Sequence, residues 1–261
     1  MGIYNCEDTL KDAIESILNQ TYTNWELVMC DDCSTDSTNK IASEYVNKYP
    51  HKILLVKNDK NMKLSFSLNH CLKYASGEYI ARMDSDDISI PTRFEKQVNY
   101  LQNNPKVNLV GSFMQYFDGN ELGAIVSKVE HPNKNTLKHA VPFNHATIMT
   151  YKWVYDSLGG YTVSERTNRA QDLDLWFRFY AKNYCGYNLQ EVLYLVRENL
   201  DAIKRRTFSV RWNAVKTRKI GYKLLGYPRL WILKDIFLLI KSLIPNRIIL
   251  LFRKTQAKNK V

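Results

Sequence analysis

The stretch GEYIARMDSDD, residues 77–87, joins a short apolar run to an acidic cluster. We expect Tyr79 to Met83 to form a strand, with Asp84-Ser85-Asp86-Asp87 directly beyond its end. The same order occurs upstream, where the apolar run Trp25 to Cys30 is followed by Asp31-Asp32. Short apolar runs bounded by polar residues are typical of buried strands, and these two runs therefore frame the predicted fold.

Helical spacing of apolar residues between these runs predicts helices that alternate with the strands. The helices are expected from about Thr9 to Asn19, around Ile41 to Tyr45, from Leu64 to Ala75, from Pro91 to Leu101, up to Gly159-Gly160, and from Gln171-Asp172 onward. Further strands are expected at Ile53 to Val56, Leu109 to Phe117 and His145 to Thr150. This order predicts an α/β fold with a mainly parallel sheet and helices on both faces. Both acidic clusters should then lie on one rim, outside the carboxyl ends of the strands.

The composition is that of a globular protein, with 45% hydrophobic and 24% charged residues in 261. It excludes disordered, collagen-like and coiled-coil proteins. The five cysteines form an odd set without metal-ligand spacing, which argues against a disulfide scaffold or a zinc module. We expect reduced, mostly buried thiols in a cytoplasmic protein, because polar sequence follows Met1 directly and does not resemble a signal peptide.

Charge divides the chain into two parts. Residues 201–261 contain 16 Lys or Arg against Asp201 and Asp235, a net of +14 within a total of +11. We therefore expect a catalytic domain over residues 1–200 and a basic helical tail over residues 201–261. Such a tail suits a polyanionic surface, either anionic lipid or nucleic acid.

The tail also contains an interrupted apolar stretch, Leu230 to Leu251. Lys234 and Lys241 lie opposite its apolar face, Pro245 breaks the pattern, and no window reaches the roughly 18 apolar residues of a spanning helix. The pattern is typical of an amphipathic segment that lies in the membrane interface. The alternative is a helix whose apolar face packs on the catalytic domain.

Two carboxylates in Asp84-Ser85-Asp86 can point into one cleft and hold Mg²⁺ or Mn²⁺ on a diphosphate. The alternative is an acidic loop that caps the helix beginning at Pro91. Asp32 can accept hydrogen bonds from a base or from ribose hydroxyls, or it can cap the following helix. The residues alone do not decide between a ligand-binding role and a capping role, either for the Asp84-Ser85-Asp86 segment or for Asp32.

Asp172 lies at a helix start beside large apolar side chains, so burial could raise its pKa and suit it to general-base catalysis. The alternative is a first-turn acid that complements the helix dipole, a role that fits Asp174 better. His145 either lines the cleft or is a hydrogen-bonded structural histidine. The chain contains no dinucleotide-binding glycine motif, Walker loop, nucleophile elbow or zinc-protease motif.

Taken together, the motifs resemble the family 2 inverting glycosyltransferases of the Rossmann-like GT-A fold, particularly bacterial enzymes that build surface polysaccharides. The resemblance covers roughly residues 1–200 and is carried, in order, by Tyr4-Asn5-Cys6-Glu7, Ser16-Ile17-Leu18-Asn19-Gln20-Thr21, Asp31-Asp32-Cys33-Ser34-Thr35-Asp36, residues 77–87 and Gln171-Asp172-Leu173-Asp174-Leu175-Trp176. Each motif alone is weak, whereas the ordered set is specific.

The resemblance implies the role of each candidate site residue. Tyr4 would pack on the base, Glu7 would lie near the nucleotide, Asp32 would contact the uracil or equivalent base, and Asp84 would touch the ribose. Asp86 would hold a divalent metal, Mn²⁺ or Mg²⁺, on the diphosphate. Asp172 would deprotonate an acceptor hydroxyl that displaces the diphosphate of a nucleotide sugar, most often a UDP-sugar, with inversion.

Three features depart from the family pattern. Only Met1-Gly2-Ile3 stands where the family has a full apolar strand, and we expect either that the natural start lies upstream or that this is a truncated form. Lys63 occupies a position where the family often has Gly. Gln171 stands where the family often has Glu, a change expected to have a small effect.

The predicted function is transfer of a sugar to a glycan or lipid-linked acceptor in polysaccharide biosynthesis. The enzyme would be cytoplasmic and peripheral at the inner face of the cell membrane, with an anionic membrane surface rather than nucleic acid as partner. One alternative is a nucleotidyltransferase, although the loop Asn5 to Thr9 has neither Gly nor a basic residue. Another is a non-catalytic, membrane-tethered protein that binds nucleotide sugars.

Overall fold

The computed structural model describes residues 1–119, 121–198 and 207–233, together with Asp235 and Leu239. The helices are α1 Leu10–Leu18, α2 Thr38–Lys48, α3 Leu64–Tyr74, α4 Arg93–Asn103, α5 Lys152–Leu158, α6 Gln171–Ala181 and α7 Phe208–Leu224. The strands are β1 Gly2–Ile3, β2 Leu27–Asp31, β3 Ile53–Lys57, β4 Tyr79–Ala81, β5 Ile88–Ser89, β6 Leu109–Phe117, β7 Leu122–Val126, β8 Met149–Tyr151 and β9 Gly186–Arg197.

The first sheet is parallel and has the order β1-β2-β3. Every residue of β2 is buried, which is the pattern of a central strand covered on both faces. Ile3 pairs with Asp31, and Asp31 pairs with Lys57, so the carboxyl ends of the three strands meet at one edge. The loop that carries Asp32 therefore begins at this edge.

The second sheet has six strands in the order β4-β8-β6-β9-β5, with β7 added to β6. Its longest pairing, β6 with β9, is parallel, whereas the pairings of β8 with β4 and β6 and of β5 with β9 are antiparallel. Helices pack on both sheets, and the predicted α/β fold is confirmed. Antiparallel pairing enters through β4, β5, β7 and β8, which have two to five residues each, beside the long parallel pair of β6 and β9.

Most predicted elements are confirmed near their expected bounds, and β6 matches its expected bounds. The strand predicted over His145 to Thr150 is partly wrong. Residues 145–147 form a 3₁₀ turn, because both the N–H and the hydroxyl of Thr147 donate to the carbonyl of Asn144. This local bonding competes with extended structure, and the strand begins only at Met149.

A cavity of about 490 Å³ separates the unpaired edges of β2 and β4. Its walls include Leu27, Val28, Ile80 and Ala81, and the amino group of Met1 donates to the carbonyl of Val28 at 2.7 Å. β1 pairs with β2 at only two positions, and no pairing among the described strands joins the two sheets.

Helix α7 packs on α6, with the rings of Phe177 and Tyr222 edge-to-face at 5.7 Å. The predicted amphipathic segment Leu230 to Leu251 lies almost entirely outside the described residues. Over the part of the chain that the structure describes, no helix is both long and apolar enough to cross a bilayer. All five cysteines are free, with Cys30 and Cys71 buried and Cys185 exposed.

Candidate functional site

The loop after β1 is tied to the loop after β2 by short polar contacts. The backbone N–H of Cys6 donates to the Thr38 hydroxyl at 2.7 Å, and that of Ser37 donates to the Glu7 carboxylate at 2.8 Å. Glu7 therefore fixes the entry to α2, in addition to any contact with a ligand. The Tyr4 side chain is 46% exposed, so its ring is accessible for stacking.

Asp32 holds the loop that precedes α3. Its carboxylate accepts hydrogen bonds from Asn58 Nδ2 at 2.8 Å and from the backbone N–H groups of Met62 and Lys63 at 2.7 and 2.8 Å. It does not cap the following helix α2, which was one alternative from the sequence. A carboxylate offers about four acceptor positions, so Asp32 keeps capacity for one further donor.

Lys63 shows how the chain accommodates a side chain where the family often has Gly. Its φ of 71° is left-handed, a conformation that favours glycine. The hydrogen bond from its N–H to Asp32 stabilises this geometry. The exposed Lys63 side chain lies at the wall of a cavity described below.

Asp84 is held from behind by Arg82, whose guanidinium is buried and donates to both the Asp84 carboxylate and the carbonyl of Met83. The backbone N–H of Asp84 donates to the Tyr194 hydroxyl at 3.0 Å. Burial alone would raise the pKa of Asp84, but the charge of Arg82 holds that pKa below its usual value. Asp84 is therefore ionised and fixed in orientation.

Arg197, at the end of β9, clamps the remainder of the acidic cluster. Its backbone N–H donates to the Asp87 carboxylate at 2.9 Å, and its Nε donates to the carbonyl of Asp86 at 3.1 Å. Burial and the neighbouring carboxylates of Asp84 and Asp86 raise the pKa of Asp87 to about 8. Asp87 therefore holds its proton more tightly than an ordinary carboxyl, because its surroundings disfavour a further negative charge.

Within the described ranges, no group of three or more His, Cys, Asp or Glu side chains is arranged to hold a metal ion. The donor set nevertheless fits a divalent cation that a substrate holds in part, because Mg²⁺ is commonly bound by one or two carboxylates plus phosphate oxygens. Asp86 lies two residues beyond Asp84 in this cluster, and it is the residue to which the family resemblance assigns the metal.

Asp172 lies in the first turn of α6 and lines a cavity of about 690 Å³. Lys63, His145, Glu165 and Arg169 contribute to the same wall. Burial raises the pKa of Asp172, and the backbone N–H groups at the helix start oppose that rise only in part. A carboxyl with a raised pKa facing a cavity is suited to accept a proton.

Asp174, two residues further on, has the opposite surroundings. Its carboxylate accepts from Thr162 Oγ1 at 2.6 Å and from Arg166 Nη1 and Arg178 Nε at 2.7 Å each. Burial alone would raise the pKa of Asp174, but these three partners lower it. The contacts agree with the structural role expected for Asp174.

His145 satisfies both interpretations that the sequence left open. It lines the Asp172 cavity, and its Nε2 lies 2.8 Å from the hydroxyl of Tyr161. Burial and the nearby charge of Arg82 lower its pKa to about 3. The imidazole is therefore neutral at physiological pH.

The structure links the predicted site residues in part. Thr9, in the loop after β1, donates to the carbonyl of Ser85 at 3.0 Å and joins that loop to the acidic cluster. Asp32 binds the loop whose Lys63 lines the Asp172 cavity. Asp84 and Asp86 are not among the described lining residues of that cavity.

The sequence did not predict the structural roles of three arginines, Arg82, Arg93 and Arg197. Arg93 is fully buried and donates to the carbonyl of Arg82 at 2.7 Å, and Arg82 and Arg197 in turn position the acidic cluster. The sequence feature that could have indicated such a role is Arg82, a cation inside the otherwise apolar run that precedes the aspartates. A buried arginine is seldom found without a carboxylate or carbonyl partner.

Comparisons with known proteins identify the family and the fold. The family profile described as "Glycosyl transferase family 2" matches residues 1–157, more than half of the chain. EpsE of Bacillus subtilis (strain 168), named as a glycosyltransferase, is 49% identical over 211 residues, 80% of this chain and 75% of EpsE. The Escherichia coli protein WfgD, named UDP-Glc:alpha-D-GlcNAc-diphosphoundecaprenol beta-1,3-glucosyltransferase, is 38% identical over 136 residues, 52% of this chain and 51% of WfgD.

The fold is also shared with a solved structure. The mannosyltransferase PcManGT from Pyrobaculum calidifontis, in complex with GDP-Man and Mn²⁺, has a TM-score of 0.65 at 18% identity, over 98% of this chain and 78% of that chain. This likeness concerns the fold and confirms the predicted GT-A class. Family profile, relatives and fold agree, and the chain is a member of glycosyltransferase family 2, a transferase enzyme.

Proposed function

We propose that the protein transfers a sugar from a nucleotide-sugar donor to a hydroxyl of a glycan or lipid-linked acceptor, with inversion, in bacterial polysaccharide biosynthesis. The observation that carries this proposal is Asp172, a carboxyl with a raised pKa on the wall of a cavity of about 690 Å³. The same wall carries Lys63, whose backbone is bound by Asp32. A proton acceptor thus lies next to the loop held by Asp32, the residue assigned to the nucleotide base of the sugar donor.

The donor would bind along the rim formed by the loops after β1, β2 and β4. Tyr4 offers an accessible ring for the base, Asp32 keeps one acceptor position, and Glu7 stiffens the loop between them. Asp84, ionised and fixed by Arg82, is suited to accept hydrogen bonds from ribose hydroxyls. UDP-Glc in the name of WfgD and GDP-Man bound to PcManGT support a nucleotide sugar as donor.

Asp172 would act as the base in a single displacement. As the acceptor oxygen bonds to the anomeric carbon, its proton passes to Asp172 and the bond from that carbon to the diphosphate breaks on the opposite face. Asp86 would hold Mn²⁺ or Mg²⁺, which supplies neutralising charge to the diphosphate when bound. The Mn²⁺ in the PcManGT complex supports a divalent metal as the cofactor.

The protein would work at the cytoplasmic face of the cell membrane as a peripheral enzyme. The net charge of +14 on residues 201–261 favours an anionic surface. A diphosphoundecaprenol acceptor in the name of WfgD supports a lipid-linked acceptor for a relative of this chain.

A thermal-shift screen of nucleotide sugars, with and without Mn²⁺, tests the proposal, because a ligand that binds the folded state raises the Tm by mass action. We expect a UDP- or GDP-sugar to raise the Tm of the wild type in Mn²⁺ and much less in EDTA. Asp86→Ala should lose the part of the rise in Tm that depends on Mn²⁺. Asp156→Ala, an exposed aspartate of α5, is the matched control and should behave as wild type.

Product analysis then separates transfer from the alternatives. Release of nucleoside diphosphate from the stabilising sugar nucleotide is expected. Release of pyrophosphate from a sugar phosphate and a nucleoside triphosphate would assign the protein to the nucleotidyltransferases instead. Full activity in EDTA would contradict the role given to Asp86.

A further inference from the structure

Helix α7 presents a set of exposed side chains in which each has another three or four residues away, which gathers them on one side of the helix. This set, the α7 outer face, consists of Phe208, Trp212, Lys216, Lys219, Ile220, Lys223 and Leu224. Its four apolar members are 57%, 43%, 48% and 50% exposed in chain order. Large apolar side chains that gather on one exposed face mark an interaction surface.

The chemistry of the α7 outer face is basic and aromatic. The sequence of α7 contains no Asp or Glu, whereas the face carries three lysines. The rings of Phe208 and Trp212 stack with centroids 6.5 Å apart and planes 8° from parallel. Lysines interleaved with aromatic and aliphatic side chains are typical of helices that lie in the headgroup region of a bilayer.

The opposite side of α7 is anchored to the catalytic part of the molecule. Asn213 Nδ2 donates to the carbonyl of Glu165, and the Thr217 hydroxyl donates to the carbonyl of Arg166, each at 3.0 Å. Gly221 lies so close to Phe177 that an added Cβ would meet the ring at 2.2 Å. The orientation of the outer face relative to the catalytic domain is therefore fixed by packing.

The same anchor joins α7 to the candidate active site. Glu165, whose carbonyl is bound by Asn213, lines the cavity that contains Asp172. Arg166, whose carbonyl is bound by Thr217, also donates to Asp174 in α6. A surface that bound the outer face of α7 would thus act on the turn that forms one wall of this cavity.

We propose that the α7 outer face is the surface by which the protein docks on an anionic lipid bilayer. Its lysines would pair with headgroup phosphates, while its aromatic and aliphatic side chains enter the boundary between headgroups and acyl chains. A nucleic acid would use the lysines but would leave Ile220 and Leu224 in water. The inference names the surface for the membrane association within the proposed function, on which it rests for its link to a lipid-linked acceptor.

Co-sedimentation of the full chain with vesicles tests the proposal. We expect binding to vesicles of phosphatidylglycerol and phosphatidylcholine, weak binding to phosphatidylcholine alone, and weaker binding at higher salt. The variant K216E/K219E/K223E should bind the anionic vesicles at least about a hundredfold more weakly, since each lysine near such a surface contributes about fivefold. The variant F208S/W212S should bind about tenfold more weakly and retain its salt dependence.

A matched triple variant, K40E/K48E/K73E, makes the same charge change on exposed positions of α2 and α3 and should bind within a few-fold of wild type once its lower net charge is allowed for. Circular dichroism and the Tm verify that each variant is folded. Equal loss in the two triple variants, or no binding of the wild type to anionic vesicles, would overturn the docking surface.

The Tm shift with nucleotide sugar is measured on the same samples. A protein that binds vesicles through α7 but shows no nucleotide-dependent shift would keep the docking surface and lose the proposed transferase donor. The reverse result would keep the donor and remove the docking surface.

Discussion

The acidic cluster after β4 and the start of α6 place carboxylates in opposite electrostatic settings. In the cluster, the guanidinium of Arg82 donates to the Asp84 carboxylate and lowers its pKa. At the start of α6, Asp174 has two arginine partners, whereas the hydrogen bonds to Asp172 within the described residues come from backbone N–H groups. Arginine side chains thus fix Asp84 and Asp174 and lower their pKa values, whereas Asp172, the carboxylate assigned to proton transfer, has a raised pKa.

The largest expected effect comes from removing the proposed base. Asp172→Asn keeps the shape of the side chain but removes its basicity, and general-base catalysis contributes about a hundred- to ten-thousandfold. We expect sugar transfer to fall about a thousandfold while the Tm shift with nucleotide sugar persists. Initial rates of nucleoside diphosphate release measure the first quantity. Asp156→Asn is the control, and a D172N enzyme with near-normal kcat would exclude Asp172 as the base.

Asp174→Asn is expected to act on stability instead. It removes the charge that compensates Arg166 and Arg178, and breaking a largely buried ion pair costs about 3 kcal/mol. Urea denaturation should show this loss, with transfer retained by the fraction that remains folded. If D174N proved as stable as wild type and as inactive as D172N, the proposed division between the two aspartates would be wrong.

Arg82→Lys tests whether the acidic cluster depends on its clamp. Lysine keeps the positive charge but cannot bind the carbonyl of Met83 and the Asp84 carboxylate together as the planar guanidinium does. We expect the Kd for the nucleotide sugar to rise about tenfold, or about 1.4 kcal/mol, because Asp84 loses its fixed orientation. Calorimetric titration measures this Kd.

Arg218→Lys is the matched control for that change. Arg218 lies on α7 and pairs with Asp235 at 3.4 Å rather than with a carboxylate of the acidic cluster. Its replacement should leave the Kd for the nucleotide sugar unchanged. An equal rise in both variants would mean that Arg82 contributes general stability rather than a specific clamp.

Local sequence patterns were sufficient for much of the fold and for the identity of the acidic residues. The apolar run of β6 and the aspartates beyond β4 are local features, since each depends on neighbours along the chain. The partners of Asp32 and Asp87 are not local. Lys63 lies 31 residues from Asp32, and Arg197 lies 110 residues from Asp87. Such contacts follow from tertiary packing, which periodicity in one sequence does not report.

The smallest expected effect is a pH dependence that distinguishes the same two aspartates. Burial raises the folded-state pKa of Asp172, so the folded protein binds this proton more tightly than the unfolded chain does. The resulting stabilisation is complete below the unfolded pKa of about 3.9 and is lost as the pH rises through the higher folded value. D172N lacks this loss, so the Tm of D172N minus the Tm of the wild type should increase from acid to neutral pH. Asp174 has a lowered pKa, so its contribution to stability grows with pH, and the Tm of D174N minus the Tm of the wild type should decrease over the same range. Parallel Tm profiles of the three proteins would contradict the contrast between the two sites.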